Sequence, residues 1–161
     1  MSASFLKRGG AWVIAQTVLM IAVLTLGIVF HGQWESRGSI LMGTVLLILG
    51  SILGIAGVWA LGTNRTPLPQ PRESSTLVQH GIYAHLRHPL YTSVMLLSLG
   101  WSLVWQSWPS LGSALILIPF FYAKAIREEQ SLRKKFPDYA NYQRRVPRFI
   151  PRFHCSRTAK H

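Results

Sequence analysis

Residues 88–123 read HPLYTSVMLLSLGWSLVWQSWPSLGSALILIPFFYA and contain no Asp, Glu, Lys or Arg. The stretch is too long for a single membrane span, because about 20 helical residues are enough to cross the hydrocarbon core. Its middle, residues 105–110, is WQSWPS, and a polar and aromatic group with a proline is typical of a turn at a membrane surface. We therefore predict a tight hairpin of two short helices.

Two more uncharged stretches precede the hairpin, at residues 9–34 and 38–64. They predict membrane spans at 11–30 and 40–61. This segregation of charge excludes an ordinary soluble domain, whose helices carry a charged face, and it also excludes a disordered chain. The predicted fold is all-α: a polytopic membrane protein with four transmembrane helices, the last two forming the hairpin, and a C-terminal cytosolic amphipathic helix.

The positions of the basic residues predict how the chain is oriented in the membrane. The chain has 17 Lys and Arg against 5 Asp and Glu, a formal net charge of +12. Four spans place both termini on one side, and every Lys and Arg except Arg37 falls on that side. Because cytoplasmic loops carry the excess of positive charge, we expect a multi-pass integral membrane protein with both termini in the cytoplasm. The same rule explains the charge without a nucleic-acid partner, and no nucleic-acid recognition motif is present.

Short sequence patterns argue against a disulfide, a metal site and a signal peptide. A lone cysteine, Cys155, forms no internal disulfide and no cysteine-rich metal site. The spacing of His80, His85 and His88 fits no standard metal site, so we predict that no metal is bound. No small-x-small cleavage motif follows the first apolar stretch, so we expect a retained span rather than a signal peptide.

The sequence also predicts the local structure of the segments before and after the hairpin. Residues 62–87 form a loop, because the alternating prolines of 67–71 (PLPQP) fit neither a helix nor a central strand. After the hairpin, residues 124–136 continue as a helix that Pro137 ends. A shorter helical turn is predicted before Pro147.

Four glycines of the second span share one face of the predicted helix: Gly43, Gly50, Gly54 and Gly57. Small residues on one face let another helix approach closely. We expect them to pack against a neighbouring span of the same chain, and a dimer contact is the alternative.

The first group with chemical potential is residues 81–91, GIYAHLRHPLY. Pro89 suits the first turn of a helix, because its missing N–H would be unpaired there anyway. Arg87 and His88 then lie at a helix N-terminus, where free backbone donors and the helix dipole favour an anion. The alternatives are a membrane-surface anchor for Arg87 and an N-cap for His88.

The second group is the acidic pair Glu128 and Glu129, at the charged end of the last span. Adjacent helical positions point about 100° apart, so at most one of them easily faces the bundle and offers a carboxylate to a ligand's ammonium. The alternative is a pair of exposed ion pairs, Lys124 with Glu128 and Glu129 with Arg133, each worth about 0.2–0.5 kcal/mol.

Residues 87–91 (RHPLY) followed by the acidic pair resemble the signature of the isoprenylcysteine carboxyl methyltransferase family, which includes phospholipid methyltransferases. The likeness covers roughly residues 62–151. Its further matching positions are residues 66–72, 77–78, 81–83 and 146–151, with Leu132, Phe136, Tyr139 and Tyr142. Two residues depart from the family pattern, Ile82 where many members have Pro and Pro137 where Gly is common, and both lie at turns.

The resemblance implies an integral membrane enzyme that transfers a methyl group from S-adenosylmethionine to a lipophilic acceptor such as a prenylcysteine-type carboxylate. The methionine end of that cofactor is a zwitterion, so it needs a cationic partner and a carboxylate. The candidate catalytic residues are Arg87, His88 and Glu128. The candidate cofactor-binding residues are Tyr83, Arg87, His88, Tyr91, Glu128, Glu129, Tyr139 and Tyr142. The tyrosines have an alternative role as interfacial anchors.

The domain organisation that follows has three parts. Residues 1–61 are two N-terminal transmembrane helices, 62–151 a cofactor-binding methyltransferase core and 152–161 a basic tail. Two other functions stay open: N-methylation of a phospholipid amine, and a non-catalytic membrane module whose basic tail binds anionic lipid. A nicotinamide-dependent membrane reductase is disfavoured, because the chain has no glycine-rich dinucleotide loop. The expected partners are membrane lipids and a lipophilic methyl acceptor.

Overall fold

The fold is all-helical, as predicted. The computed structural model describes residues 9–62 and 76–150, and these ranges contain five α-helices, one 3-10 helix and no strand. The helices are α1 (Gly10–Val29), α2 (Arg37–Leu61), α3 (Pro89–Val104), α4 (Trp108–Lys135) and α5 (Tyr139–Arg145), and the 3-10 helix is Gly81–Ala84.

Helices α1, α2 and α4 are long and apolar enough to cross a membrane. Many of their large apolar side chains point outward, among them Val18, 60% exposed, and Leu41, 69% exposed. Such surfaces suit contact with lipid, so the chain is a multi-pass membrane protein. Helix α3 has 16 residues, fewer than the roughly 20 of a typical span, and its crossing of the membrane stays a prediction.

Helices α3 and α4 form the predicted hairpin, but α4 is long rather than short, and the turn is tighter than expected. Only residues 105–107 separate α3 from α4. Trp108, Pro109 and Ser110, which we predicted in the turn, form the first turn of α4. The Ser107 side chain accepts a hydrogen bond from the Ser110 N–H and caps the helix, and Pro109 has no N–H to leave unpaired at that position.

Helix α4 continues past the apolar stretch without a break, so the last predicted span and the helix predicted at 124–136 are one helix of 28 residues. It ends before Pro137, as expected. Helix α5 is the short helix predicted before Pro147.

Helix α2 packs along α3 through its glycine face. A Cβ at Gly43 would lie 2.7 Å from the Gly100 carbonyl oxygen, and one at Gly50 would lie 2.9 Å from Leu97 Cγ. Gly54 and Gly57 likewise face α3. The glycine face therefore packs against a neighbouring helix of the same chain, as predicted, and whether that helix is a span stays a prediction. Helix α1 packs on α4, so α3 and α4 form the centre of the bundle.

Some of the predictions fall outside the described residues. These are the proline-rich part of the loop, residues 66–72, and the basic tail 152–161 with Cys155. The three-part division of the chain stays a prediction.

Candidate functional site

The start of α3 meets the charged end of α4, and helix α5 with residues 146–150 covers the junction. Arg87 Nη1 lies 3.0 Å from Glu129 Oε1, and His88 Nε2 lies 3.0 Å from the same oxygen. The structure thus brings together the two groups that the sequence singled out. The guanidinium and carboxylate are in direct contact.

Glu129 is the centre of this cluster, with four partners for one carboxylate. Besides Arg87 and His88, it accepts hydrogen bonds from Arg148 Nε at 3.0 Å and Nη2 at 2.8 Å, and from Gln143 Nε2 at 2.8 Å. Its side chain is 4% exposed. The bond to Glu129 also raises the pKa of Arg148 above its ordinary value. Internal cations and an amide therefore occupy both carboxylate oxygens.

The backbone at the start of α3 is occupied as well. The Arg87 N–H donates to the Pro147 carbonyl at 2.9 Å, and the His88 N–H donates to the Arg148 carbonyl at 3.1 Å. We predicted that free donors here would favour an anion, and for these two N–H groups that is wrong. The C-terminal segment takes them because it crosses directly over the helix start.

Neither alternative role of this motif, a membrane-surface anchor for Arg87 or a capping side chain for His88, matches the structure. The Arg87 side chain is only 9% exposed, so it does not extend to a membrane surface as an anchor. His88 occupies the N-cap position of α3, but its side chain makes no capping hydrogen bond. It turns instead toward Glu129.

Glu128 has a different environment from its neighbour. Its side chain is 27% exposed, and it accepts a hydrogen bond of 2.6 Å from the Tyr91 hydroxyl. The exposed ion pairs considered for the acidic residues do not form, since Lys124 donates to Gln16 and Arg133 donates to Gln143.

Aromatic rings join the motif to the core. The Tyr91 ring stacks on His88 on one side, with centroids 5.2 Å apart, and on Phe121 of α4 on the other, at 4.9 Å. The Lys124 ammonium lies 5.2 Å from the Tyr91 ring centroid. Tyr91 is therefore held between the acidic pair and the bundle.

The other three candidate tyrosines, Tyr83, Tyr139 and Tyr142, contact one another. The Tyr142 hydroxyl donates to the Tyr83 carbonyl at 2.6 Å, and Tyr139 packs on Tyr142 with ring centroids 5.8 Å apart. Tyr139 is 1% and Tyr142 3% exposed, so neither is an interfacial anchor.

Their phenols stay protonated in the physiological range. Burial raises the pKa of Tyr142 to about 12, with opposing effects from the Arg87 guanidinium and the Glu129 carboxylate. Burial also raises the pKa values of Tyr83 and Tyr139. These rings are neutral hydrogen-bonding groups beside the ionic cluster.

Arg87 keeps unused donors. Among the described residues, its Nε and Nη1 atoms are buried without a hydrogen-bond partner of acceptable geometry. The contact of Nη1 with Glu129 is an ion pair by distance only. Because unmatched buried donors are costly, these atoms are suited to an anionic group of a ligand.

Sequence reasoning missed three residues of this region as site residues: Gln143, Arg148 and Lys124. Gln143 and Arg148 follow Glu129 by 14 and 19 residues; Gln143 carries no local signal, and Arg148 lies in the stretch 146–151 that resembles the family but was not singled out as a site residue. Lys124 does have one, because it follows Leu117 and Phe121 by seven and three residues and so shares their core-facing side of α4.

The sequence profile of the phospholipid methyltransferase family matches residues 39–139. The chain belongs to this family. The match includes both halves of the site, the start of α3 and the acidic pair of α4, and it confirms the resemblance seen in the sequence.

Individual relatives agree with this assignment. The cobalt-zinc-cadmium resistance protein CzcN of Cupriavidus metallidurans is 32% identical over 149 residues, which are 90% of this chain and 64% of that protein. Protein-S-isoprenylcysteine O-methyltransferase B of Arabidopsis thaliana is 30% identical over 113 residues, 68% of this chain and 57% of that protein.

A solved structure shares the fold. The eukaryotic intramembrane Ras methyltransferase, isoprenylcysteine carboxyl methyltransferase, is similar with a TM-score of 0.63 and 25% identity, over 89% of this chain and 53% of that one. The chain therefore spans from about half to less than two thirds of the length of these three proteins.

Proposed function

We propose that this chain is an S-adenosylmethionine-dependent methyltransferase of the membrane, which methylates the carboxylate of a lipophilic, prenylcysteine-type acceptor. Family membership supports methyl transfer, and two of its relatives have names that state such an activity. The single observation that carries the proposal is the contact of Arg87 and His88, at the start of α3, with the acidic pair at the charged end of α4.

The residues present fit the methionine end of the cofactor. Its carboxylate needs donors, and the buried Nε atom of Arg87 has no hydrogen-bond partner in the described chain, while the adjacent Nη1 pairs with Glu129. Its ammonium needs an acceptor, and Glu128 is part-exposed; among the described residues it accepts a hydrogen bond from the neutral Tyr91 hydroxyl, and His88 Nδ1 lies 3.8 Å away. We assign the adenine side to the cluster of Tyr83, Tyr91, Tyr139 and Tyr142, since aromatic rings suit a planar base. Tyr83 is half-buried, whereas the other three rings are packed against neighbouring side chains.

Glu129 acts in this proposal as a positioning residue. Its two oxygens already hold Arg87, His88, Gln143 and Arg148. Such a fully bonded carboxylate fixes the side chains around it, and preorganised geometry is the protein's main contribution to a displacement reaction.

The bound cofactor would supply an electrophilic methyl group on a sulfonium. The chain's residues bind, orient and exclude water around that group, which can lower the barrier by about 7–11 kcal/mol. A carboxylate acceptor is already ionised and needs no base. An amine acceptor would have to lose a proton, for which His88 or Glu128 is the candidate base.

The proposal includes a topology. The four helices α1 to α4 cross the membrane, both termini are cytoplasmic, and residues 62–151 form the cofactor-binding core. The positive-inside distribution of Lys and Arg supports this orientation.

Transfer of a labelled methyl group tests the function. Membranes containing the protein are incubated with methyl-labelled S-adenosylmethionine and either N-acetyl-S-farnesylcysteine or phosphatidylethanolamine vesicles. We expect label in the first acceptor, in a form that mild base releases as methanol, because esters hydrolyse and N-methyl groups do not. Base-stable label in the phospholipid would instead show the amine N-methyltransferase.

The matched variants are Arg87→Ala, Glu128→Ala and Arg127→Ala. The first two are expected to lose transfer by at least about 100-fold, while the exposed neighbour Arg127 is expected to be dispensable. Size-exclusion profiles in detergent check that each variant is folded. Full activity of a folded Arg87→Ala or Glu128→Ala protein would refute the site, and no transfer by the wild type with either acceptor would refute the proposed reaction.

A further inference from the structure

Lys124 is a cation inside the bundle that the site described so far does not use. It lies on the core-facing side of α4 and is 1% exposed. In the described part of the chain, no carboxylate lies within ion-pair distance of its ammonium. An ionisable residue at such a place is costly to keep and commonly has a function.

Its partners are neutral. The Nζ atom donates to Gln16 Oε1 of α1 at 2.6 Å, and it lies over the ring of Tyr91. The Gln16 amide nitrogen has only a weak contact, to Met20 Sδ at 3.7 Å. A single amide oxygen and a ring face leave the charge of a buried ammonium largely uncompensated.

Lys124 is also directly connected to the candidate site. The ring beneath it belongs to Tyr91, whose hydroxyl donates to Glu128. Gln16 is half-buried on α1, where that helix packs on α4. The ammonium therefore contacts both α1, through Gln16, and Tyr91, one of the residues assigned to the cofactor.

We propose that Lys124 is the specificity-determining residue that binds the carboxylate of the methyl acceptor. The carboxylate replaces the Gln16 amide oxygen as the partner of the ammonium, while the apolar part of the acceptor stays along α1 and α4 and in the surrounding lipid. The inference rests on the proposed function and names the residue by which that function selects an anion. A buried cation also repels the ammonium of a phospholipid amine, since like charges are unfavourable in a low-dielectric site.

The reaction itself would weaken this contact. One oxygen of the acceptor carboxylate forms a bond to the methyl carbon as the carbon–sulfur bond of the sulfonium breaks, with the electron pair passing to sulfur and no proton moving. The product is a neutral ester, which no longer pairs with Lys124. Substrate is therefore held by charge and product is released to the lipid.

A binding comparison tests the inference without turnover. The protein is placed in phosphatidylcholine nanodiscs without cofactor, and the Kd values of N-acetyl-S-farnesylcysteine and of its methyl ester are measured by intrinsic tryptophan fluorescence. We expect the acid to bind about tenfold more tightly than the ester. Equal affinities would overturn the inference with no variant needed.

The variants separate charge from packing. Lys124→Met and Lys124→Gln are expected to bring the acid-to-ester ratio near one, and Lys124→Arg is expected to preserve it. Gln16→Leu removes the same α1–α4 hydrogen bond but leaves the cation, so its preference for the acid should persist. A preference that survives in both neutral variants, or that is lost in Gln16→Leu, would overturn the inference.

Two further measurements identify the source of the bound anion and show which of the two proposals, the reaction or the role of Lys124, is wrong. Adding phosphatidylglycerol to the nanodiscs should leave the acid preference unchanged, and its abolition would show a general lipid-phosphate site instead. Methyl transfer is measured on the same preparations. Acid preference without transfer refutes the proposed function alone, whereas transfer without acid preference refutes the role of Lys124 alone.

Discussion

The two ends of the α3–α4 hairpin are held by different chemistry. At the turn, the hydrogen bonds join neutral groups. The Gln106 side chain donates to the Ser36 carbonyl, the Ser107 hydroxyl donates to the Leu26 carbonyl, and the Gln33 N–H donates to the Gln106 carbonyl, each at 2.9 Å. Each of these donors has an acceptor of ordinary geometry within the chain.

At the other end, the groups are ionic, and the donor groups outnumber the carboxylate that accepts from them. Two guanidiniums, an imidazole and an amide converge on the single carboxylate of Glu129. Arg87 is left with donor atoms that have no hydrogen-bond partner among the described residues. A surplus of buried donors is what a site for an anionic ligand needs in its free state.

The contrast between the two ends separates polar groups that stabilise the fold from polar groups that serve a site. Neutral hydrogen bonds that are fully paired stabilise the turn and require nothing more. Charged groups that are only partly paired cost stability, so their retention points to a partner outside the chain. Three substitutions test this distinction, from the largest expected effect to the smallest.

Glu129→Gln should have the largest effect on stability. It leaves the buried guanidinium of Arg87 without its counter-charge and removes the partner of the part-exposed Arg148. Breaking a buried ion pair in this way costs about 3–5 kcal/mol. Thermal unfolding in detergent measures the loss. Glu128→Gln is the matched control, because it is part-exposed and its amide oxygen can still accept from Tyr91; we expect less than about 1 kcal/mol. Equal destabilisation by both would contradict the separate roles of the two acids.

Ser107→Ala should destabilise the neutral end by about 1–2 kcal/mol, because it removes the cap of α4 and the hydrogen bond to Leu26. Methyl transfer per folded molecule should not change. Ser113→Ala is the control, since that hydroxyl bonds only to Pro109 one turn earlier in the same helix. A loss of transfer in the folded Ser107 variant would show that the turn is coupled to the site.

Tyr142→Phe should cost about 1 kcal/mol at neutral pH, because the hydrogen bond to the Tyr83 carbonyl is lost. Since burial raises the pKa of Tyr142 to about 12, the folded state holds this proton more tightly than the unfolded chain, whose phenols titrate near about 10. The stability from this proton is complete below pH 10 and is lost as the pH rises toward 12. Unfolding measured from pH 9 to 12 should therefore show a smaller alkaline loss in the variant than in the wild type, and identical slopes would contradict this account.

Local pattern was enough to predict the helices and the two halves of the site. Uncharged length predicts the spans, residues 105–110 predict the turn, and the glycine face of α2 predicts the side that packs on α3. The motif at 87–91 and the acidic pair were recognisable because charges are rare in this chain and lie where apolar stretches end.

The rotation of α4 about its axis could not be predicted. Glu128 and Glu129 differ by about 100° around the helix, and either orientation satisfies the apolar pattern of the preceding residues. Packing against α1 and α3 decides that Glu129 is buried and Glu128 part-exposed.

The sequence by itself determined the membrane class of this protein, its helices, and the opposite charges at the two segments that form the site. The tertiary structure alone decided the partners: Arg148 and Gln143 on Glu129, and Gln16 on Lys124, 108 positions away along the chain. The physical reason is that hydrophobic periodicity and helix-ending residues act over a few residues, whereas a contact between distant helices depends on how their surfaces fit together.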